Sequence, residues 1–204
     1  MRLIITRHGV TKWNLEDKWQ GQTDVPLAPE GRVQAKKVAQ RLKACNLMTI
    51  YSSPLQRALH TAKEIKGFHP NANLIIDSLL KEANLGIFDG LTTDEIISRH
   101  PGILESRQEN LYDFIIPEGE SYADVERRAK EVLEKVIHKE EDAAIVAHGL
   151  FNRMLVKNIL GLSFNDATAI MMNNTGVYIV TIEDGRVIVE HENCDKHLRE
   201  EQIL

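Results

Sequence analysis

Leu3-Ile4-Ile5-Thr6-Arg7-His8-Gly9 is a short apolar run that stops at an arginine, a histidine and a glycine, with Thr11 and Asn14 just beyond. An apolar run of this kind reads as a buried strand of an α/β sheet. Ligands bind such sheets at the strand ends, where loops are free to present side chains, so Arg7 and His8 stand where a reactive centre is expected.

Working outward, strand-like runs recur at Leu3-Thr6, Met48-Tyr51, Leu74-Ile76, Ala143-Ala147, Val177-Ile182 and Arg186-Glu190, with helical patterns between most of them. This alternation predicts an α/β chain, a three-layer α/β/α sandwich around a mixed, mostly parallel sheet. Helices are expected from about Pro29 to Cys45 and from Leu55 to Lys66. Pro29 and Pro54 suit first turns, where a missing N–H loses no hydrogen bond, and Ser53 is the expected cap of the second helix. Ser121-x-x-Asp124 has the form of a capping pair, with Val125, Ala129, Val132 and Val136 at helical spacing behind it. A further helix runs from Leu150 to Leu160 and stops at Gly161. Glu183-Asp184-Gly185 is a hairpin signal, so at least one late strand runs antiparallel. Between Gly90 and Gly119 the pattern weakens around Pro101, Gly102 and Pro117, and the segment at about 91–119 is expected to form a partly helical lid over the strand ends.

The 204 residues are 43% hydrophobic, enough for one substantial core, and no repeat, low-complexity tract or linker divides them, so 1–204 is expected to be a single domain. Net charge is -5, from 25 Lys+Arg against 30 Asp+Glu, without a basic run or aromatic-basic interleaving, which argues against nucleic acid as a partner. An anionic substrate must therefore be attracted by a local pocket. The apolar stretch before Thr6 is too short for a signal-peptide core, and no segment approaches the ~20 apolar residues of a membrane span. A cytoplasmic protein with no membrane partner is expected. Cys45 and Cys194, far apart in sequence, are expected to be free thiols.

Four polar groups follow predicted parallel strands: Arg7-His8, then Ser53 and Arg57, then Glu82, then His148. Parallel strands would bring all of them to one sheet edge across sequence gaps of 49, 25 and 66 residues. Two arginines and two histidines make an electropositive cup, and guanidinium forks match phosphoryl oxygens in bidentate geometry. Phosphoryl transfer needs charge neutralisation, an in-line nucleophile and an acid for the departing oxygen. His8 suits the nucleophile, Arg7, Arg57 and His148 the clamp, and Glu82 the proton donor, while Gly149 opens a helix whose amides suit an anion.

The same residues lie in blocks that resemble the histidine phosphatase superfamily, the phosphoglycerate-mutase-like proteins, along almost the whole chain. Thr6-Arg7-His8-Gly9-Val10-Thr11-Lys12-Trp13-Asn14 resembles the phosphohistidine motif, with Val10 where a glutamate is common, a change of pocket polarity rather than of chemistry. Gln20 to Leu27 and Gly31 to Ala35 resemble the next blocks, and Tyr51 to Ala58 with Thr61-Ala62 carries the second arginine. Leu80 to Gly90 resembles the segment bearing the general acid, which maps to Glu82; Gly119-Glu120-Ser121 and Val146-Ala147-His148-Gly149 complete the set.

The resemblance implies a metal-independent phosphomonoesterase with no cofactor, working through a covalent phosphohistidine on His8, with Glu82 first acid and then base toward water. It also implies that Asn14, Gln20 and Gly21 line the phosphate or substrate pocket. The expected partner is a small phosphorylated metabolite such as a sugar phosphate, phosphoglycerate, phosphoserine or α-ribazole phosphate. Two other readings stand beside it. A cofactor-dependent phosphoglycerate mutase would use the same phosphohistidine, but the resembling mutases are usually longer, and only 28 residues separate Gly90 from Gly119. A non-catalytic phospho-ligand binding protein would lack a catalytic side chain, and none is missing.

Each residue also has a plain structural reading: His8 or His148 as packed histidines, Arg7 and Arg57 in surface ion pairs, Glu82 as a solvated loop acid. Their convergence weighs against that reading. His191, Cys194 and His197 recur at ligand-like spacing without a fourth ligand, and the tail is expected to pack back on the domain. Trp13, Trp19, Phe88, Tyr112 and Phe114 serve either the core or a specificity wall. The last strands leave an exposed edge on which a second copy could pair, so a homodimer is possible.

Overall fold

Alternation of side chains along the first strand, β1 (Arg2–Arg7), divides the molecule into layers. Leu3 and Ile5 point into one apolar cluster with Val132, Phe151 and Leu155, whereas Ile4 points into another with Val38, Ala62 and Ile65. In the computed structural model, which describes residues 1–199, the chain continues through α1 (Lys12–Leu15), α2 (Pro29–Leu42), β2 (Thr49–Ser52), α3 (Gln56–Phe68), β3 (Asn73–Ile76), α4 (Thr93–Arg99), α5 (Ile103–Glu109) and α6 (Tyr122–Ile137). It ends with β4 (Ala143–Ala147), α7 (Gly149–Leu160), α8 (Phe164–Thr168), β5 (Val177–Glu183), β6 (Arg186–Cys194) and α9 (Lys196–Arg199). Residues 200–204 of the expected 1–204 domain lie outside the described residues.

The strand order is β3-β2-β4-β1-β5-β6. β1, β2, β3 and β4 pair in parallel, while β5 runs antiparallel to both β1 and β6. This is the mixed, mostly parallel sheet expected, with α2 and α3 covering one face and α6 and α7 the other. Asp184 (φ 48°) and Gly185 (φ 73°) form the two-residue turn of the β5–β6 hairpin, both in the left-handed region that such turns require.

Register places the site. Thr6 and Ser52 both stand level with Val146, so Arg7-His8, Ser53 and His148 leave three adjacent strands side by side. The His8 amide still donates to Ala147 O (3.1 Å) and the Ser53 amide to Val146 O (3.2 Å), which extends the ladders one residue into the loops.

Helix ends depart from the sequence expectation in two places. α2 starts at Pro29 but stops at Leu42, where a turn closed by the Cys45 amide on Leu42 O (2.9 Å) replaces the last residues. α3 begins at Gln56, and Ser53 is not its cap: the Gln56 amide donates to Asp24 Oδ1 (2.7 Å) from a distant loop. Ser121 and Asp124 do form the expected capping box at α6, with the Asp124 amide on Ser121 Oγ (3.2 Å). α7 closes at Gly161 in the left-handed conformation. The 91–119 segment holds α4 and α5, with Ile96 buried and Ile103 and Leu104 packed on the larger core. No helix among the described residues is long and apolar enough to cross a membrane.

The loop after β1 is locked to α2 by backbone contact. A Cβ on Gly9 would strike Gly31 O, and one on Gly31 would strike Val10 O. The Ala28 amide donates to Val10 O (3.0 Å) and the Val10 amide to Gln34 Oε1 (2.8 Å). Alanine at a helical glycine ordinarily gains about 1 kcal/mol. Here the collision with main chain reverses the sign, and Gly31→Ala is predicted to cost about 1–3 kcal/mol. Urea unfolding of the variant checks this, and a rise in midpoint would contradict it.

Candidate active site

The polar side chains at the sheet edge are oriented by hydrogen bonds, some from adjacent residues and others from segments distant in sequence. His8 is buried and sits 5.2 Å, centroid to centroid, from the buried His148 ring. Its Nδ1 lies 2.7 Å from Gly9 O, so Nδ1 carries the proton and donates, and Nε2 keeps its lone pair. Burial, reinforced by Arg57 and Arg7, holds the His8 pKa well below its usual 6.5. His8 is therefore a neutral imidazole at neutral pH. His148 is lowered in the same way, first by burial and then by Arg57 and His8. Its Nε2 shares a hydrogen bond with Ser53 Oγ (2.8 Å), and its buried Nδ1 has no partner among the described residues.

Arg57 is fully buried on the first turn of α3 and donates to Thr23 O (2.9 Å) and Gly21 O (2.6 Å). Asp89 holds that loop by accepting from the Gly21 amide (2.7 Å), the Thr23 amide (3.0 Å) and Thr23 Oγ1 (2.8 Å). Arg7 donates to Met172 O (2.9 Å). Burial lowers both guanidinium pKa values, that of Arg57 to about 10, while Glu82 opposes the shift at each. Both remain cations at neutral pH. The Nε of each is buried without a partner among the described residues, a donor left over for a ligand.

Glu82 is buried between these cations and the start of α7. Its carboxylate accepts from the amides of Leu150 (3.1 Å), Phe151 (3.0 Å) and Ala83 (2.9 Å). The anion seated at this helix start is thus the protein's own carboxylate. A Cβ at Gly149 would make only ordinary van der Waals contact, 3.6 Å from the Arg7 guanidinium and 3.8 Å from Glu82 Oε2, so the seat does not depend on a glycine there. Arg128 braces the segment by donating to the carbonyls of Leu79 (2.6 Å) and Lys81 (3.0 Å), and it pairs with Glu120 at 2.9 Å.

His8, Arg7, Arg57, Glu82, His148 and Gly149 are therefore brought together. Asn14 and Gln20 lie one layer out, joined through Thr11. Asn14 Oδ1 accepts from the Thr11 amide (3.1 Å), and Gln20 Oε1 accepts from Thr11 Oγ1 (3.1 Å), which leaves Gln20 Nε2 buried and unpartnered among the described residues. Gly21 acts through Arg57, and a Cβ there would press on Ala83 O and the Leu85 amide, both at 2.9 Å. The sequence places Ser53 at this edge, though without a role there; Asp89, Arg128 and Met172 are not assigned from sequence, and of these three only Asp89 stands inside a motif that points to the site. Of the aromatics, Phe88 is core, Trp19 stands edge-on to it at 5.6 Å, and Tyr112 packs on Phe164 at 4.9 Å. The tail does pack back, with His197 buried beside Arg41 of α2.

The family described as histidine phosphatase superfamily (branch 1) matches residues 3–195. Phosphoserine phosphatase 1 of Hydrogenobacter thermophilus is 30% identical over 202 residues, 98% of this chain and 95% of that protein. A probable phosphoglycerate mutase, GpmB, of Shigella boydii serotype 18 is 32% identical over 186 residues, 90% of this chain and 86% of that protein. Among solved structures, a mycobacterial glucosyl-3-phosphoglycerate phosphatase in complex with VO3 superposes with a TM-score of 0.84 at 28% identity, over 95% of this chain and 99% of that one.

Four buried histidines tie stability to pH, among them His69, whose pKa burial lowers below its usual value. His8 and His148 titrate well below 6.5, and burial with Arg41 pushes His197 down to about 4. In the unfolded chain each binds a proton near 6.5, whereas the folded chain does not until lower pH, so acid favours unfolding. The urea midpoint is predicted to be level above about pH 7 and to fall between 6.5 and 5, above the range where carboxylates titrate. A midpoint unchanged across that interval would show that these imidazoles protonate without cost.

Proposed function

Because the chain belongs to the histidine phosphatase superfamily, branch 1, we propose that it is a phosphomonoesterase hydrolysing small phosphorylated metabolites through a covalent phosphohistidine at His8, without a metal ion. The observation that carries this reading is the Nδ1 bond of His8 to Gly9 O, which leaves a neutral imidazole with its Nε2 lone pair free beside two buried guanidiniums. Nε2 attacks phosphorus, an N–P bond forms and the ester P–O bond breaks. Glu82 takes the proton carried by a monoester monoanion and passes it to the departing oxygen. Arg7, Arg57 and His148 hold the phosphoryl oxygens, supplying the charge compensation that a metal would otherwise bring. Water then attacks the phosphohistidine as Glu82 takes its proton, and inorganic phosphate leaves. Helices α4 and α5 would form the lid that reads the rest of the substrate, with Arg107 lying over Trp19 (5.3 Å) and Tyr122 (5.5 Å).

The Shigella relative's name favours a second reading, a mutase returning the phosphoryl group to substrate. The 28-residue stretch carrying two seven-residue helices offers less cover against water than a long insertion, which supports hydrolysis. The two separate by product: free phosphate from 3-phosphoglycerate supports the phosphatase, and isomerised phosphoglycerate the mutase.

Turnover of p-nitrophenyl phosphate is predicted to persist in excess chelator. His8→Ala is predicted to lose about 1,000-fold or more in kcat together with acid-labile phosphoenzyme. Retention of either would remove His8 as nucleophile, and a folded wild type that binds phosphate without turnover would leave only a binding protein. Glu82→Gln is predicted to fall about 100-fold or more on alkyl phosphates and much less on p-nitrophenyl phosphate, whose leaving group needs little protonation. Equal losses on both substrates would deny Glu82 the role of acid.

A further inference from the structure

One short turn before β5 touches both members of the Arg7-His8 pair. Met172 O accepts from the Arg7 guanidinium (2.9 Å), the Thr175 amide donates to Arg7 O (3.0 Å), and Asn174 Nδ2 donates to His8 O (3.0 Å). The turn is held in an unfavourable shape. Thr175 is fully buried with φ 57°, in the left-handed region that a β-branched residue rarely enters. Such a conformation persists only where the surroundings over-determine it.

Those surroundings come from the end of the chain. Arg41 of α2 donates toward His197 Nδ1 (3.3 Å) and to Cys194 O (3.0 Å). With Nδ1 accepting, Nε2 carries the proton and donates to Thr175 Oγ1 (3.3 Å). Asn193 Oδ1 accepts from the Asn173 amide (2.8 Å) and fills the space that a Cβ on Gly176 would need, while Asn173 Nδ2 donates to Asp195 Oδ2 (3.2 Å). The line of contact runs from α2 through His197 and Asn193 to the Thr175 turn and on to the Arg7 guanidinium and the His8 main chain.

We infer that Asn193 and His197 are positioning residues for the phosphoryl-binding pair, latching the Thr175 turn so that it fixes Arg7 and His8. This rests on the phosphatase reading for its catalytic consequence but not for its effect on anion binding. Loss of the latch lets the turn relax toward ordinary backbone angles, and a clamp displaced by about 1 Å can lose about 100-fold in rate. Since Arg7 would grip the transition state more tightly than the substrate, kcat should fall further than KM rises.

The test compares wild type with His197→Ala, His197→Gln, Asn193→Ala and, as a control destabilised in the opposite core layer, Val132→Ala, all well below their melting temperatures. His197→Ala and Asn193→Ala are expected to lower kcat on p-nitrophenyl phosphate about tenfold or more, with KM changed less than about threefold, and to weaken vanadate binding by calorimetry about tenfold. Val132→Ala should do neither. His197→Gln, which keeps a donor near the Nε2 position, should retain most activity. Thr175→Gly, which accepts φ near 57° without strain, should restore activity to the His197→Ala background. The inference is overturned if His197→Ala and Val132→Ala behave alike, or if Thr175→Gly restores nothing. Should wild type bind vanadate without turning over phosphate esters, the phosphatase reading fails and the vanadate series alone judges the latch. Absence of vanadate binding by wild type overturns both.

Discussion

Two guanidiniums are carried into the protein at one edge of the sheet, beside two imidazoles held neutral, and the rest of the molecule is arranged around their desolvation. Removing such a cation from water costs several kcal/mol unless good acceptors replace the lost hydration. The carbonyls of Gly21, Thr23 and Met172 are those acceptors, and the Glu82 carboxylate favours both cations through its charge. Each lies far from its arginine in sequence, and each needs its own support, from Asp89, from Arg128 and the start of α7, or from the Thr175 turn. Satisfaction is left incomplete at the Nε atoms and at His148 Nδ1. Under the proposed function, a phosphoryl group, rich in acceptor oxygens and negative charge, would complete it.

The field that prepares the cup also prepares its nucleophile. Burial, with the positive charges of Arg57 and Arg7 acting in the same direction, keeps His8 unprotonated. In the proposed mechanism the arginines that would bind the anion therefore also help to hold the attacking nitrogen in its reactive form. Glu82 opposes their charge and is held by backbone amides rather than by a flexible partner.

Sequence exposed the parts of this that follow local rules. Strand runs, the Ser121-x-x-Asp124 cap and the Asp184-Gly185 turn are written in adjacent residues, and all three form as expected. The convergence of Arg7, His8, Arg57, Glu82 and His148 was legible because parallel strands share one exit edge. What escaped was long-range polar pairing. Ser53 looked like a helix cap and instead faces His148, while the acceptor for the start of α3 comes from Asp24, 32 residues away. The bonds of Gln20 to Thr11 and of the Gly21 carbonyl to Arg57 join residues 9 and 36 positions apart, and no local pattern announced them. Nothing local marks Thr175 as a left-handed residue, since its conformation is imposed by a segment some twenty residues later.

The reversal of β5 has a consequence of a different kind. Because β5 alone runs against the other strands, its hairpin with β6 turns at the end of the sheet away from His8, where Met1 N meets Ile182 O at 2.8 Å. Asp184 and Gly185 are exposed there and bear no part of the site. The hairpin turn thus stands at the end of the sheet opposite the candidate site. A tether, fluorophore or fused domain spliced into that two-residue turn would leave the mouth of the cup open to solvent, giving the protein a built-in orientation on any surface to which it is attached.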